Sequence, residues 1–388
     1  MIYMDNNATT KPCQEALDAM ELYLTQRYGN PSSVYSFAQK AKDDLENFRQ
    51  RIANSIKASA NEIIFTSGGT ESDNLALKGY AMANMSRGKH IISSAIEHKA
   101  VMESFGWLQK FLGFEITYLP VDRNGVVILE ALEKAIRPDT ILISIMAANN
   151  ETGVIQPIQE ITEIAHQHGI LVHTDAVQAL GKMELDVQSW AVDMLSASAH
   201  KFHGPRGVGF LFKRKDIRIT PLFHGGGHER KLRSGTENLA AIAGMTVALE
   251  TALENLQSYK INVKELRDTL EEGLLREIPD VIVNGGNANR VPNTLNISVK
   301  HVEGESMLLY LDDQGIAASS GSACTSGSLD PSHVLLAMGL DHATAHGSLR
   351  FSLSRFNTRK EVEKVIEVLP GIVEHLRDIS PFGKELAT

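Results

Sequence analysis

Lys201 follows His200 directly after the apolar run Val192–Leu195 and the small residues Ser196-Ala-Ser-Ala199, and a Gly204-Pro-Arg-Gly207 turn comes next. A charged lysine is costly to bury, and one desolvated where a strand leaves a core sheds its proton and becomes an amine nucleophile. Alone, the pair reads as an ordinary surface lysine. Other reactive side chains, however, sit at equivalent places. Thr66-Ser-Gly-Gly-Thr70 follows the apolar run Ile63–Phe65, and Glu97-His98 follows His90–Ile92. Asn149 and Asn150 follow Ile141–Met146, Asp175 and Gln178 follow Ile170–Val172, and Ser198, His200 and Lys201 follow Met194–Leu195.

Each has a plain reading. Gly68-Gly69-Thr70 opens a helix, where free N–H groups and the helix dipole favour a phosphate, but the same triplet serves as an ordinary turn. It does not match the nucleotide P-loop pattern. Asp175 is either a helix cap or a half-buried carboxylate in need of a cation such as a protonated ring nitrogen. His98 is either a stacking ring or a structural histidine. Taken together, a phosphate site, an acid for a pyridinium, a ring-stacking histidine and an amine nucleophile are what pyridoxal phosphate requires.

Of the two cysteines, Cys13 reads as a small buried hydrophobe. Cys324 lies in Ser319-Ser-Gly-Ser-Ala-Cys-Thr-Ser-Gly-Ser328, too polar for a core and too glycine-rich for a regular element. It is a candidate nucleophile. Arg350 and Arg355 lie on or beside a strand pattern, where either can clamp a carboxylate or simply face solvent.

Ligands of a parallel α/β sheet bind at the carboxyl ends of its strands. The apolar runs named above, with Ile116–Leu119, alternate with helix patterns such as Ile158–His168, stopped by Gly169. That order predicts a mostly parallel sheet covered on both faces, completed by an antiparallel Gly209–Phe212. Residues 239–277 read as a long helical region in two parts. Beyond them Asn293–Val299 alternates like a half-exposed strand, Arg350–Leu353 is another, and helix patterns cover Glu305–Leu311 and Glu361–Arg377. The expected division is an arm at 1–15 packing with the small domain, a large domain at 16–255, and a small α+β domain at 256–388 carrying the Cys324 loop.

The net charge of −9 offers no footprint for nucleic acid. No apolar run reaches the length of a membrane span, and no leader pattern opens the chain, so a cytoplasmic protein is expected. No histidine or cysteine spacing suggests a metal; His166/His168 and His224/His228 lack companion ligands.

At these residues the sequence resembles the NifS/IscS-type cysteine desulfurases of the class V aminotransferase superfamily, enzymes of pyridoxal phosphate fold type I. The likeness runs from Tyr3 to about Phe356. It is carried by Gly29-Asn-Pro-Ser-Ser33, Phe65–Asn74, Glu97-His-Lys-Ala100, Asn149-Asn-Glu-Thr-Gly153, His173–Gln178, His200-Lys201, Arg233-Ser-Gly-Thr-Glu-Asn238 and the Cys324 loop. Ala199 stands where glycine is common, and Met4 where leucine is; neither removes a functional group. The resemblance implies a homodimer acting on L-cysteine. Lys201 would bind the cofactor aldehyde and serve as base at the substrate Cα. Asp175 would pair with the ring nitrogen, Gln178 would contact the ring hydroxyl, and His98, counted with the catalytic residues, would stack on the ring. Gly69, Thr70, Ser198 and His200 would hold the phosphate, joined by Thr236 from the second subunit. Asn150 and Arg350 would bind the substrate carboxylate. Cys324 would take the sulfur as a persulfide for a scaffold protein of the IscU/NifU kind, in iron–sulfur cluster assembly or thiolation. A selenocysteine lyase, a class V aminotransferase and a non-catalytic pyridoxal phosphate-binding scaffold or regulatory protein are the alternatives.

Overall fold

The structure is a computed structural model that describes residues 1–320 and 330–379. Short runs rich in β-branched residues and buried on both faces form its larger sheet. The strands of the chain, in order, are β1 (Ile2–Tyr3), β2 (Ile63–Thr66), β3 (His90–Ser94), β4 (Glu115–Leu119), β5 (Thr140–Ser144), β6 (Leu171–Asp175), β7 (Met194–Ser198) and β8 (Gly209–Lys213). The small domain adds β9 (Val281–Val283), β10 (Thr294–Val299), β11 (Ile316–Ala317), β12 (Ser319–Ser320) and β13 (Ser348–Ser352).

The large sheet has the order β2-β8-β7-β6-β5-β3-β4, and only β8 runs antiparallel to its neighbours. Side chains alternate between faces with period two. Ile92, Ile143, Val172 and Phe210 join the core beneath the helices Ile158–Gln167 and Leu239–Glu254. Ile64, Ile91, Leu142 and Leu211 face the helices Gly69–Asn84 and Lys99–Leu112. With both faces covered, the loops at the carboxyl ends of β2, β3, β5, β6 and β7 are left to line one cleft.

The helical region 239–277 is two helices, Leu239–Glu254 and Leu256–Glu277, bent by 73° at Asn255. The first belongs to the large core, whereas the second contributes Val263, Leu270 and Leu274 to a separate core. That second core packs the sheet β12-β13-β10-β9 against the helices Gly304–Asp313 and Arg359–Ile379. The arm joins it: β1 pairs in parallel with β11, and Met4 is fully buried there.

One expectation fails here. Asn293–Val299 alternates as a half-exposed strand should, yet all six residues of β10 are buried. Leu295, Ile297 and Val299 face the small core. The polar face is closed off by polar partners instead of water: Thr294 Oγ1 accepts from Asn7 Nδ2, Asn296 Nδ2 donates to Glu151 O, and Ser298 Oγ accepts from Asn284 Nδ2. Among the described residues no single helix is long and apolar enough to cross a membrane.

Candidate active site

The residues at the strand ends converge. Gly69, Thr70, His98, Asn150, Asp175 and Gln178 line one cavity of about 350 Å3, together with Ser198, His200, Lys201 and Arg350. That size suits a cofactor with a small substrate. Thr236 does not line it; this residue is exposed on its own chain. Cys324 lies outside the described residues. Cys13 is buried, as its composition suggested. Arg355 does not reach this cavity and borders a smaller one behind Lys201.

The phosphate-type cradle begins where β2 ends. Gly68 sits at φ +148°, a backbone that other residues rarely adopt, and a Cβ on Gly69 would meet Val177 Cγ2 at 2.7 Å. No side chain caps the following helix, Gly69–Asn84, so its first N–H groups remain for an anion, with Ser198 beside them. His200 Nδ1 lies 3.1 Å from Thr9 Oγ1, and burial, then the Lys201 charge, pushes the imidazole down to about 4. It is therefore a neutral hydrogen-bonding group near neutral pH.

At the far end Asp175 closes β6, its Oδ1 accepting from Val177 N at 2.9 Å. Asp73, three residues after Thr70 on the same helix, faces the same cavity; its Oδ1 makes no hydrogen bond and lies 3.7 Å from His173 Nε2. Burial raises the pKa of both carboxyls, and the Asp175 and Glu97 charges raise that of Asp73 further. His98, the Val177 N–H and Lys201 favour charge on Asp175, while only Ser196 does so for Asp73. Asp73 is therefore the more readily protonated of the two, and the groups around Asp175 favour its charged form. An anion at the base of an apolar-walled slot is what a protonated ring nitrogen needs. His98 caps the helix Lys99–Leu112 by accepting from Ala100 N through Nδ1, which places its ring on the cavity wall with the proton on Nε2.

Lys201 Nζ donates to Asn7 O at 2.5 Å and Ala8 O at 2.8 Å. Arg350 is 2% exposed; it donates through Nη1 to Asn150 O at 2.9 Å and through Nη2 to Asp5 Oδ1 at 2.8 Å, leaving Nε without a hydrogen-bond partner. A buried guanidinium with donor capacity to spare beside a cavity suits a carboxylate. The donor set therefore fits pyridoxal phosphate: an anion cradle, a carboxylate for a ring nitrogen, an imidazole and an amine all line one cavity.

Sequence reading missed three participants. Asp73 lay inside a motif already singled out, and its spacing from Thr70 places it on the same helical turn. Asn7 and Lys182 gave no such signal: the partners of Asn7 come from distant parts of the chain, and Lys182, four residues after Gln178, is drawn into the site by its bond to Asn7. Asn7 donates through Nδ2 to Asn150 O and Thr294 Oγ1, through its backbone N to Ser352 Oγ, and accepts Asn293 Nδ2 on Oδ1. It thereby ties the arm, the large domain and the small domain together at the site.

The segment bearing Thr236 is anchored to the cradle by two ion pairs. Arg49, buried under β2, donates through Nη1 and Nη2 to the two oxygens of Glu229 at 2.7 and 2.8 Å, and Glu229 also accepts from Phe65 N. Arg233 pairs with Glu71, which itself accepts from Ser67 N. Glu229, Arg230 and Lys231 all hold positive φ, a strained bend that these contacts maintain. Among the described residues no group of acidic, histidine or cysteine side chains could hold a metal ion.

This arrangement of cradle, acid, imidazole and amine on a seven-stranded sheet is that of a pyridoxal phosphate enzyme. The model of the family "Aminotransferase class-V" matches residues 2–365, and the chain belongs to that family. It is 52% identical over 380 residues to the cysteine desulfurase IscS of Methanosarcina thermophila, covering 98% of this chain and 94% of that one. It is 50% identical over 384 residues to the cysteine desulfurase IscS of Dictyoglomus turgidum, covering 99% and 97%. A solved NifS-like protein superposes with a TM-score of 0.91 at 40% identity, over 97% of this chain and all of the other. The cofactor of the chain is pyridoxal phosphate.

Proposed function

We propose that the chain is a cysteine desulfurase, converting L-cysteine to L-alanine and handing its sulfur on as a persulfide of Cys324. The observation that carries this is the meeting of Lys201, Asp175, His98 and Arg350 in one cavity of cofactor size. When bound, pyridoxal phosphate supplies an electron sink for charge leaving the substrate Cα. The chain's own residues do the rest. Gly69 and Thr70 at the helix N-terminus, with Ser198 and His200, hold the phosphate. Thr236 of the partner subunit completes that shell in a homodimer, which accounts for its exposure on its own chain. Asp175 would keep the ring nitrogen protonated, Gln178 would donate to the ring hydroxyl oxygen, and His98 would stack on the ring. Arg350 and Asn150 orient the substrate carboxylate. Lys201 Nζ would hold the cofactor through its aldehyde and would move the proton at the substrate Cα.

The Cys324 thiolate then attacks the substrate sulfur. An S–S bond forms, the substrate C–S bond breaks with its electron pair left on carbon, and that carbon takes a proton to become the methyl group of alanine. The persulfide passes to a scaffold protein of the IscU/NifU kind. The test is direct: pyridoxal phosphate-loaded protein given L-cysteine and a thiol reductant yields alanine and sulfide in equal amounts. Absence of alanine would overturn the reading. Cys324→Ala should abolish sulfide release and leave the visible cofactor absorbance in place.

A further inference from the structure

Lys182 is a second buried lysine beside the site, and none of the roles assigned above uses it. Its side chain is 3% exposed, and no carboxylate is among its hydrogen-bond partners. Nζ donates to Gln178 Oε1 at 2.6 Å and to Asn7 Oδ1 at 3.0 Å. The charges facing it are Lys201 and Arg350, and His200 and His203 also feel it. Burial, then those two cations, holds its amine well below the ordinary lysine range. Burying an amine costs far more than burying a methionine of similar length, and among the described residues those two hydrogen bonds alone offset the cost.

What the bonds accomplish follows from Asn7 and Gln178. Asn7 cannot flip, because its Nδ2 is committed to Asn150 O and Thr294 Oγ1, so its Oδ1 must face Lys182. Gln178 Nε2 donates to Asn7 O at 2.9 Å, and the same carbonyl accepts Lys201 Nζ. With Oε1 held by Lys182 and one amide hydrogen held by Asn7 O, the second amide hydrogen of Gln178 is left for the cavity that Gln178 lines. A glutamine flipped the other way would set Oε1 against the Asn7 carbonyl and present an acceptor to the cofactor.

We propose that Lys182 is a positioning residue that locks Gln178 so that it presents an N–H, not a carbonyl, to the hydroxyl oxygen on the cofactor ring. This rests on the placement of Gln178 against that oxygen given under the proposed function. A donor there stabilises negative charge on the oxygen and lowers the pH at which the Lys201-linked cofactor titrates.

The experiment is a pH titration of the visible cofactor absorbance in loaded wild-type protein, Lys182→Met, Gln178→Ala and the double variant. The expected result is a midpoint raised by about one pH unit in each single variant, with no further rise in the double variant. An unmoved midpoint in Gln178→Ala would overturn the placement of Gln178 on the ring oxygen. A midpoint moved in Gln178→Ala but unmoved in Lys182→Met would overturn the role of Lys182 alone. Should Lys182→Met retain no cofactor, Lys182→Gln, able both to donate and to accept, is titrated in its place. A partial rise supports the proposal, whereas a wild-type midpoint or loss of cofactor from this variant too overturns it.

Discussion

Glu229→Gln tests whether the cradle depends on the buried ion pair beneath it. Arg49 and Glu229 are each almost wholly buried, with both oxygens of the carboxylate bonded to both Nη atoms, and Glu229 also satisfies the Phe65 N–H. Neutralising one member of such a pair leaves an uncompensated buried charge and costs about 3–5 kcal/mol. The amide that replaces Oε1 or Oε2 also turns a donor toward Arg49 or Phe65 N. Glu46, 3.2 Å from Arg49 Nε and about half exposed, recovers on the order of 1 kcal/mol. A net loss near 3 kcal/mol is therefore expected at the lower end of the range. The assay is urea unfolding of the cofactor-free variant beside the unaltered protein, converted through the m-value. Because β2 leads straight into Gly68 and Gly69, cofactor dissociation should also quicken. Replacing both residues, as Arg49→Met with Glu229→Met, should cost less than either single change, since no charge is left behind. A single-variant loss under about 1 kcal/mol, or a double variant worse than both singles, would refute the reasoning.

Arg350→Lys keeps the charge but loses the fork that spans Asn150 O and Asp5 Oδ1, so the KM for L-cysteine should rise about 10–100-fold with a smaller change in kcat; an unchanged KM would remove Arg350 from carboxylate binding. His173 is buried between Ser144 Oγ and Ser196 Oγ, and burial pushes its imidazole down to about 3. The unfolded chain therefore binds the extra proton first, and the stability from this residue, present above about 6.5, is lost as pH falls toward 3. Urea midpoints measured down that range should fall less steeply in His173→Gln; parallel slopes would contradict the assignment.

The seven-stranded sheet was legible because buried parallel strands leave a continuous apolar run, and each run marks where its carboxyl end delivers a side chain. That is why Thr70, His98, Asn150, Asp175, Ser198, His200 and Lys201 stand out together in the chain alone. Asp73 was within reach of the same reasoning, three residues from Thr70 on one helix. The polar face of β10 misled it, because alternation records which side chains are polar and not whether water or protein satisfies them. Thr294, Asn296 and Ser298 are met by Asn7, Glu151 and Asn284.

The sequence by itself determined the chemistry: which groups exist, which strand end carries each, and that an amine, an acid, an imidazole and an anion cradle occur in one sheet. Only the tertiary structure decided how those groups are held. Asn7 reaches partners at Asn150, Thr294 and Ser352, and Lys182 reaches back to Asn7, across sequence separations no local pattern encodes. Strand periodicity follows from the local backbone and can be read in a window of a few residues. The direction of a buried amide, or which of Asp73 and Asp175 is the more readily protonated, is set by whichever neighbours folding brings within hydrogen-bond and Coulomb range.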